Sequence, residues 1–418
     1  MENTYRSMRF GNLIVLGMIL LGIISFSVFA YNLDRGGTYH NSINLADLDN
    51  DGDMDVILQN VRNESEFTAF AVLTLWFNEE NGTFTPMRME DYQSEAGWAS
   101  TAGDVDQDGD ADLFVYHGYR LRVDFNLGGV QGGNPGEFGR SQFITQPRSD
   151  AQYGSLLLGD LNNDNILDGI VTGCCGRVFT LDAEDDTPNF TWVWINASTP
   201  TGILAPQSSA ISALDGLSLS AAALGDLDND GDLDLFAAVI APNESRNTDP
   251  SDRVIINDGL GNFTDSGQRL GNADSTSVDL GDIDNDGDMD ALVGNENGAY
   301  VWINQGGKQN GEEADFTLSS QIISGSQTLK VLLSDFDNDN DLDVLIAGIN
   351  KAILWWNDGQ GNFTKSNQSF RYSKRYGIIV GDFNNDNSPD VFVAEYSDNY
   401  KVWYNNGNGT FRTRASTP

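Results

Sequence analysis

The sequence predicts an all-β protein, a seven-bladed β-propeller of four-stranded antiparallel blades, with a hydrophobic signal or anchor helix at its N-terminus. Three observations lead there. An acidic nine-residue pattern recurs seven times, short apolar runs of strand length flank each copy, and a glycine-rich turn leading into phenylalanine closes most units. Blades are expected to begin near residues 41, 98, 154, 220, 276, 328 and 376 of the 418-residue chain, so residues 31–418 form one propeller.

The acidic pattern is clearest in DIDNDGDMD, from Asp282 to Asp290, with carboxylates at positions 1, 3, 5 and 9. Four acidic oxygen donors so close together repel one another unless a cation sits among them, and hard oxygen donors suit Ca²⁺. The candidate ligands are Asp47, Asp49, Asp51 and Asp55; Asp104, Asp106, Asp108 and Asp112; Asp160, Asn162, Asp164 and Asp168; and Asp226, Asp228, Asp230 and Asp234. The set continues with Asp282, Asp284, Asp286 and Asp290; Asp335, Asp337, Asp339 and Asp343; and Asp382, Asn384, Asp386 and Asp390. Position 6 is glycine or, at Asn165, Asn340 and Asn387, asparagine, the two residues most tolerant of a left-handed backbone. That turn lets the position-7 carbonyl face the ion as well.

Ordinary Asp-Gly hairpin turns would explain one copy but not the shared register. An EF-hand needs a glutamate at position 12, where this chain has Leu58, Val115, Val171, Ala237, Val293, Ile346 and Val393. Each loop therefore runs into an apolar strand. Up to seven structural Ca²⁺ ions are expected. Copy 3 (Asn162, Asn165, Ile166) and copy 7 (Asn384, Asn387, Ser388, Pro389) depart furthest from the pattern.

The first strand of each unit ends in a small residue, Ala46, Gly103, Gly159, Gly225, Gly281, Ser334 or Gly381, as crowding near a central axis requires. A third strand ends in asparagine every time, at Asn78, Asn126, Asn196, Asn257, Asn304, Asn357 and Asn405. Tryptophans stand just before several of these, at Trp76, Trp194, Trp302, Trp355, Trp356 and Trp403; their fixed place favours packing between blades over sugar stacking. Turns such as Asn81–Phe84, Gly261–Phe263, Gly361–Phe363 and Asn408–Phe411 then read as hairpins. An open solenoid is the alternative to a closed ring, but no polar capping repeat stands at either end.

Together, the D-x-D-x-D-G-x-x-D loop before an apolar strand and the N-x-G-x-G-x-F turn resemble the FG-GAP and VCBS repeats of integrin α-subunit propellers and exported microbial proteins. The resemblance covers about residues 39–413. It implies calcium in the loop joining the first two strands of each blade.

Residues 1–30 read as a targeting segment. Arg6 and Arg9 precede an uncharged apolar run from Leu13 to Ala30, and Val28 and Ala30 suit a cut before Tyr31. The run is also long enough to remain as a membrane anchor. Either outcome makes the protein secreted or held at the cell surface, touching a membrane only through this segment. A net charge of −39 makes nucleic acid and anionic membrane surfaces poor partners, although halophilic adaptation is a rival cause of the acidity. The only cysteines, Cys174 and Cys175, are adjacent and close no loop; a vicinal disulfide and two thiols are both open.

With the acidic loops on one face, the hairpins leaving each second strand emerge on the other, and ligand-face candidates are read there. They are Arg62, Tyr116, His117, Tyr119, Arg177, Arg246, Glu296, Lys351 and Tyr396. Two longer stretches, Asn126–Tyr153 and Thr199–Ser218, are expected to rise beside them. Long loops on a rigid scaffold are where binding resides. The expected function is a binding or adhesion module for an extracellular protein or glycan. The alternative is a polysaccharide lyase using His117 and a nearby tyrosine. His40 and His117 are the only histidines, and no Ser/His/Asp or zinc-type cluster is visible, which weighs against catalysis.

Overall fold

The computed structural model describes residues 42–415 other than 66–67, 80–81, 95–98, 118–119, 129–131, 135, 145–151, 175–190, 197–206, 241–248, 296, 307–310, 312–313, 325–327, 373–374 and 396–398. The N-terminal signal or anchor segment lies outside these residues. Among the described residues no helix is long and apolar enough to cross a membrane.

Among the described residues twenty-eight strands form seven sheets, each of four consecutive antiparallel strands. Blade 1 holds β1 (Ser42–Ala46), β2 (Asp55–Ser65), β3 (Thr68–Glu79) and β4 (Thr83–Ser94). Blade 2 holds β5 (Ser100–Gly103), β6 (Asp112–His117), β7 (Arg120–Asn126) and β8 (Phe138–Ile144). Blade 3 holds β9 (Gln152–Gly159), β10 (Asp168–Cys174), β11 (Trp192–Ile195) and β12 (Gln207–Ala210). Blade 4 holds β13 (Ser218–Gly225), β14 (Asp234–Ile240), β15 (Arg253–Asn257) and β16 (Phe263–Asp265). Blade 5 holds β17 (Ser275–Gly281), β18 (Asp290–Asn295), β19 (Gly298–Asn304) and β20 (Phe316–Ser324). Blade 6 holds β21 (Lys330–Ser334), β22 (Asp343–Ala347), β23 (Lys351–Asn357) and β24 (Phe363–Arg371). Blade 7 holds β25 (Arg375–Gly381), β26 (Asp390–Glu395), β27 (Asn399–Asn405) and β28 (Phe411–Ala415).

First strands touch first strands around the ring, from β1 through β5, β9, β13, β17, β21 and β25 and back to β1. The predicted propeller is therefore closed. Its apolar core is divided into seven fillings, each lying between two neighbouring blades. Ile57, Leu73 and Leu75 of blade 1, for example, meet Ala102, Leu113 and Val115 of blade 2. Trp76, Trp194, Trp302 and Trp403 belong to these fillings, which is the packing role expected of them.

The glycines that end first strands have a more specific cause than crowding at the axis. A Cβ on Gly225 would stand 2.7 Å from Met289 Sδ, and one on Gly281 2.5 Å from Leu342 Cδ1. Met289 and Leu342 sit at position 8 of the next blade's acidic loop. Each glycine thus makes room for the neighbour that wedges against it.

One expectation is corrected. The stretches Asn126–Tyr153 and Thr199–Ser218 are not insertions on the hairpin face, because each contains its blade's outer strand, β8 or β12. β7 and β8 are joined at the acidic-loop end, where Gly136 approaches the Asp49 side chain. The strands FGRSQFI and QSSA escape a hydrophobicity reading because an outermost strand needs little apolar surface.

Candidate metal centres and the opposite face

The acidic loops fill residues 47–54, 104–111, 160–167, 226–233, 282–289, 335–342 and 382–389, eight residues between first and second strands in every blade. Two residues per loop take a left-handed backbone. Position 6 does so as expected, from Asn387 at φ 62° to Gly287 at φ 105°. Position 4 does so too, at Asn50, Gln107, Asn163, Asn229, Asn285, Asn338 and Asn385, which the sequence reading missed although asparagine recurs there.

These turns aim backbone N–H groups inward. The position-6 N–H donates to the position-1 carboxylate in all seven loops, as Gly287 does to Asp282 at 3.0 Å. The position-7 N–H donates to position 5, as Asp288 does to Asp286 at 2.9 Å. The carboxylates are thereby oriented with oxygens left over. One oxygen each of Asp47, Asp49, Asp108, Asp226, Asp286 and Asp337 is buried without a hydrogen-bond partner. Leaving such oxygens unpaired is costly, and a cation would satisfy them.

Carboxylate oxygens converge to within 4.8 Å in five loops: Asp47, Asp49 and Asp55; Asp104, Asp106 and Asp108; Asp226, Asp228 and Asp230; Asp282, Asp284 and Asp290; and Asp335, Asp337 and Asp339. Blades 3 and 7, whose loops carry Asn162 and Asn384, are absent from this set among the described residues. The donor set is all oxygen, rich in carboxylate and partly out of water, which fits a hard divalent cation.

Position 9 does more than complete a ligand set. Asp55, Asp112, Asp168, Asp234, Asp290, Asp343 and Asp390 are fully buried at the head of each second strand. One oxygen of each accepts from the position-2 N–H at 2.8–3.2 Å. The other accepts from the N–H of the third-strand asparagine at 2.6–2.9 Å. That asparagine then reaches into the preceding blade: its Nδ2 donates to the position-2 carbonyl there at 2.7–3.0 Å, at all seven junctions. Asn78 bonded to the Phe383 carbonyl closes the circle between blades 7 and 1. The loops are tied together a second time where Asn229 donates to Asp288, Asn285 to Asp341, Asn163 to Asp232 and Asn385 to Asp53.

Burial, with neighbouring carboxylates adding to it, pushes these acids upward. Asp112 rises to about 9, Asp55, Asp290 and Asp343 to about 8, and Asp168, Asp234 and Asp390 to about 7, in each case opposed by the two backbone N–H bonds. Asp49 and Asp106 rise to about 6, from burial and then from the loop's other charges. Nearby positive charge of any kind would pull them back down.

The hairpin face is built differently. Its connections run from two residues at 66–67, 118–119 and 296–297 to twelve at 241–252 and seventeen at 175–191. Arg62 lies in β2, Tyr116 and His117 end β6, and Lys351 opens β23, all toward that end of their sheets. In the β6–β7 hairpin His117 pairs with Arg120. Cys174 ends β10, while Cys175 lies outside the described residues, as do Tyr119, Arg177, Arg246, Glu296 and Tyr396. Glu395 is engaged by Lys401 at 2.7 Å. Beside the 241–252 connection, Arg253 and Arg269 both reach Asp249, and Arg269 also holds Asp265 at 2.9 Å.

A family model described as an FG-GAP-like repeat matches residues 47–115, 226–293, 282–346, 335–393 and 382–418. The unmatched interval contains blade 3. A search of curated proteins finds no match. Among solved structures, a lectin of Agrocybe aegerita, described as recognising non-reducing terminal N-acetylglucosamine, is 17% identical over 85% of each chain with a TM-score of 0.52. BBS1N, solved in complex with ARL6DN, is 10% identical over 90% of this chain and 94% of that one, also with a TM-score of 0.52. At these identities the likeness is one of fold.

Proposed function

Because the chain belongs to the FG-GAP-like repeat family, we propose that it is an exported, calcium-stiffened binding module that presents its hairpin face to an extracellular glycan or protein. The observation that carries this reading is the division of labour between the two ends of the blades. One end repeats the same loop, bonds and buried carboxylates seven times, which is how a scaffold is kept identical. The other varies in length and chemistry from blade to blade, which is how a surface is made selective.

In each loop positions 1, 3, 5 and 9 would hold the cation, and bound Ca²⁺ would supply positive charge that offsets the mutual repulsion of the carboxylates. The protein's own part is to orient them. Position 6 and position 7 amides fix the side chains, and position 9 transmits the loop's geometry to the next junction through the third-strand asparagine. Glycan as ligand is favoured by the lectin of the same fold and by basic and aromatic residues, Arg62, Tyr116, His117 and Lys351, among the hairpin candidates.

The test is a glycan and matrix-protein binding screen with purified residues 31–418, run in calcium and in chelator. Binding in calcium that weakens on Lys351→Glu, or on shortening the 241–252 connection, supports the reading. Binding to nothing in either buffer, or binding indifferent to every hairpin change, defeats it. A uronate lyase using His117 and a nearby tyrosine is the second reading, carried by the sequence Tyr116 to Arg120 alone. Release of unsaturated uronate from acidic polysaccharide, abolished by His117→Ala, would put it first.

A further inference from the structure

Position 7 of the loop tells the blades apart. In blades 1, 4, 5 and 6 it is an aspartate whose carboxylate accepts from the position-4 asparagine of the preceding blade: Asp53 from Asn385, Asp232 from Asn163, Asp288 from Asn229 at 2.8 Å and Asp341 from Asn285 at 2.7 Å. Blade 7 keeps the contact with a hydroxyl, Asn338 Nδ2 standing 3.4 Å from Ser388 Oγ. At these five junctions the side chain is committed to the neighbouring loop.

Blade 2 breaks the rule. Its position 7 is Asp110, 2% exposed, and no N–H or hydroxyl donates to either carboxylate oxygen, whose side-chain contact is with the Asp108 carboxylate. Burial weighs on it most, then the Asp108 carboxylate in side-chain contact with it, then the charges of Asp108, Asp106 and Asp104. Asp108 contributes a further buried oxygen without a partner, its Oδ2, while its Oδ1 accepts from the Asp110 N–H at 3.2 Å. Asp110 and Asp108 therefore set buried acidic oxygens without donors against one another, and Asp108 is in turn one of the three whose oxygens converge with those of Asp104 and Asp106. A buried carboxylate without hydrogen bonds or a counter-charge is among the least tolerable groups a protein can hold.

We propose that Asp110 is a ligand of the cation held in the blade-2 loop, a carboxylate committed to the neighbouring loop in blades 1, 4, 5 and 6 and missing from blades 3 and 7, so that blade 2 is the tightest divalent-cation site of the ring. This rests on the reading that the loops hold cations. Each added carboxylate raises the charge drawn to an oxygen-seeking ion, and ligand charge count is what sets affinity in such loops. A monovalent ion or a partner's basic side chain would leave more of the five alternate aspartates, 104 to 112, uncompensated.

The experiment is calorimetric titration of the purified chain with Ca²⁺ alone, comparing wild type, Asp110→Asn, and Asp258→Asn as a charge-matched control in the turn after β15. The expected result is loss of about tenfold or more in the tightest class for Asp110→Asn and none for the control. Thermal melts give a second reading: Asp110→Asn is expected to raise the midpoint in chelator, where it removes an orphaned charge, and to lower it in calcium. Cation binding with an unchanged tightest class in Asp110→Asn overturns the proposal while leaving the general calcium reading intact. Absence of any cation binding overturns both. Equal loss of thermal stability in both buffers makes Asp110 a packing residue and also overturns it. Asp110→Ser is expected to match the asparagine variant, and a tight class retained by serine counts against the ligand role.

Discussion

The two ends of the blades obey different rules. At one end the connection between first and second strands is eight residues long in all seven blades; at the other the hairpins range from two residues to seventeen. The constant end is constrained by hydrogen bonds that must land on particular atoms of the next blade, so an insertion in one loop would break two junctions. At the variable end the bonds between blades are, among the described residues, fewer and fall on the first strands, where Ser42, Ser220 and Thr276 donate to the Ser100, Ser275 and Thr328 carbonyls. Conserving one rim while freeing the other allows a ring to change what it binds without changing how it stands.

The largest effect that could break this comparison is removal of the cations. A site tenfold below ambient cation contributes about 1.4 kcal/mol, and several such sites together are worth roughly 10 °C or more in midpoint for a chain of this size. Excess chelator is therefore expected to lower the melting temperature by at least about that amount, and a midpoint that does not move would sink the scaffold account. Next comes the clasp itself: Asn304→Ala keeps the backbone N–H that Asp290 accepts but leaves the Leu227 and Met289 carbonyls short of a donor, and should cost about 1–3 kcal/mol in denaturant melts. A loss under half a kilocalorie would mean the junction is held by apolar packing alone.

The pH dependence sharpens the same point. In chelator the position-9 acids sit above their ordinary value of 3.8, as Asp55 does at about 8 and Asp168 at about 7. The native state then holds protons that the unfolded chain has released, so stability should fall as pH rises from about 4 to about 8. With calcium present the cation replaces the proton and the slope should flatten or reverse. Melts at several pH values in both buffers check it; identical slopes would count against cations in the loops. Smallest of all, Lys351→Glu at the hairpin end is expected to move the melting midpoint by less than about 2 °C, as surface changes do.

Much of this was legible in the sequence because it is periodic. The D-x-D-x-D loop, the position-6 glycine or asparagine and the small residue before each loop repeat at fixed offsets, and a repeat announces a ring or a solenoid. The third-strand asparagine was equally visible, but not its purpose. Its partner is a backbone carbonyl one blade back, 69 residues away for Asn405 and 305 for Asn78, and a carbonyl has no sequence signature. Position 9 reads only as a ligand, because no sequence signal shows that each of its oxygens also accepts an N–H bond, as Asp290 does from Ile283 and Asn304. The outer strands β8 and β12 were misread as excursions since a strand with one open edge can afford polar residues. Asp110 looked like any aspartate, and only the comparison of position 7 across junctions sets it apart.

Among the described residues no sheet borrows a strand from the far end of the chain, so the seam between the last and first blades is chemically one more copy of the other six. A circle made this way has no privileged origin. A permuted polypeptide, opened between blades 6 and 7 and spliced across the old seam, would inherit the same junctions. The number of sectors is likewise set by the wedge angle of each apolar filling rather than by interlocked termini, which is how duplication could add a sector to such a ring without rewriting the rest.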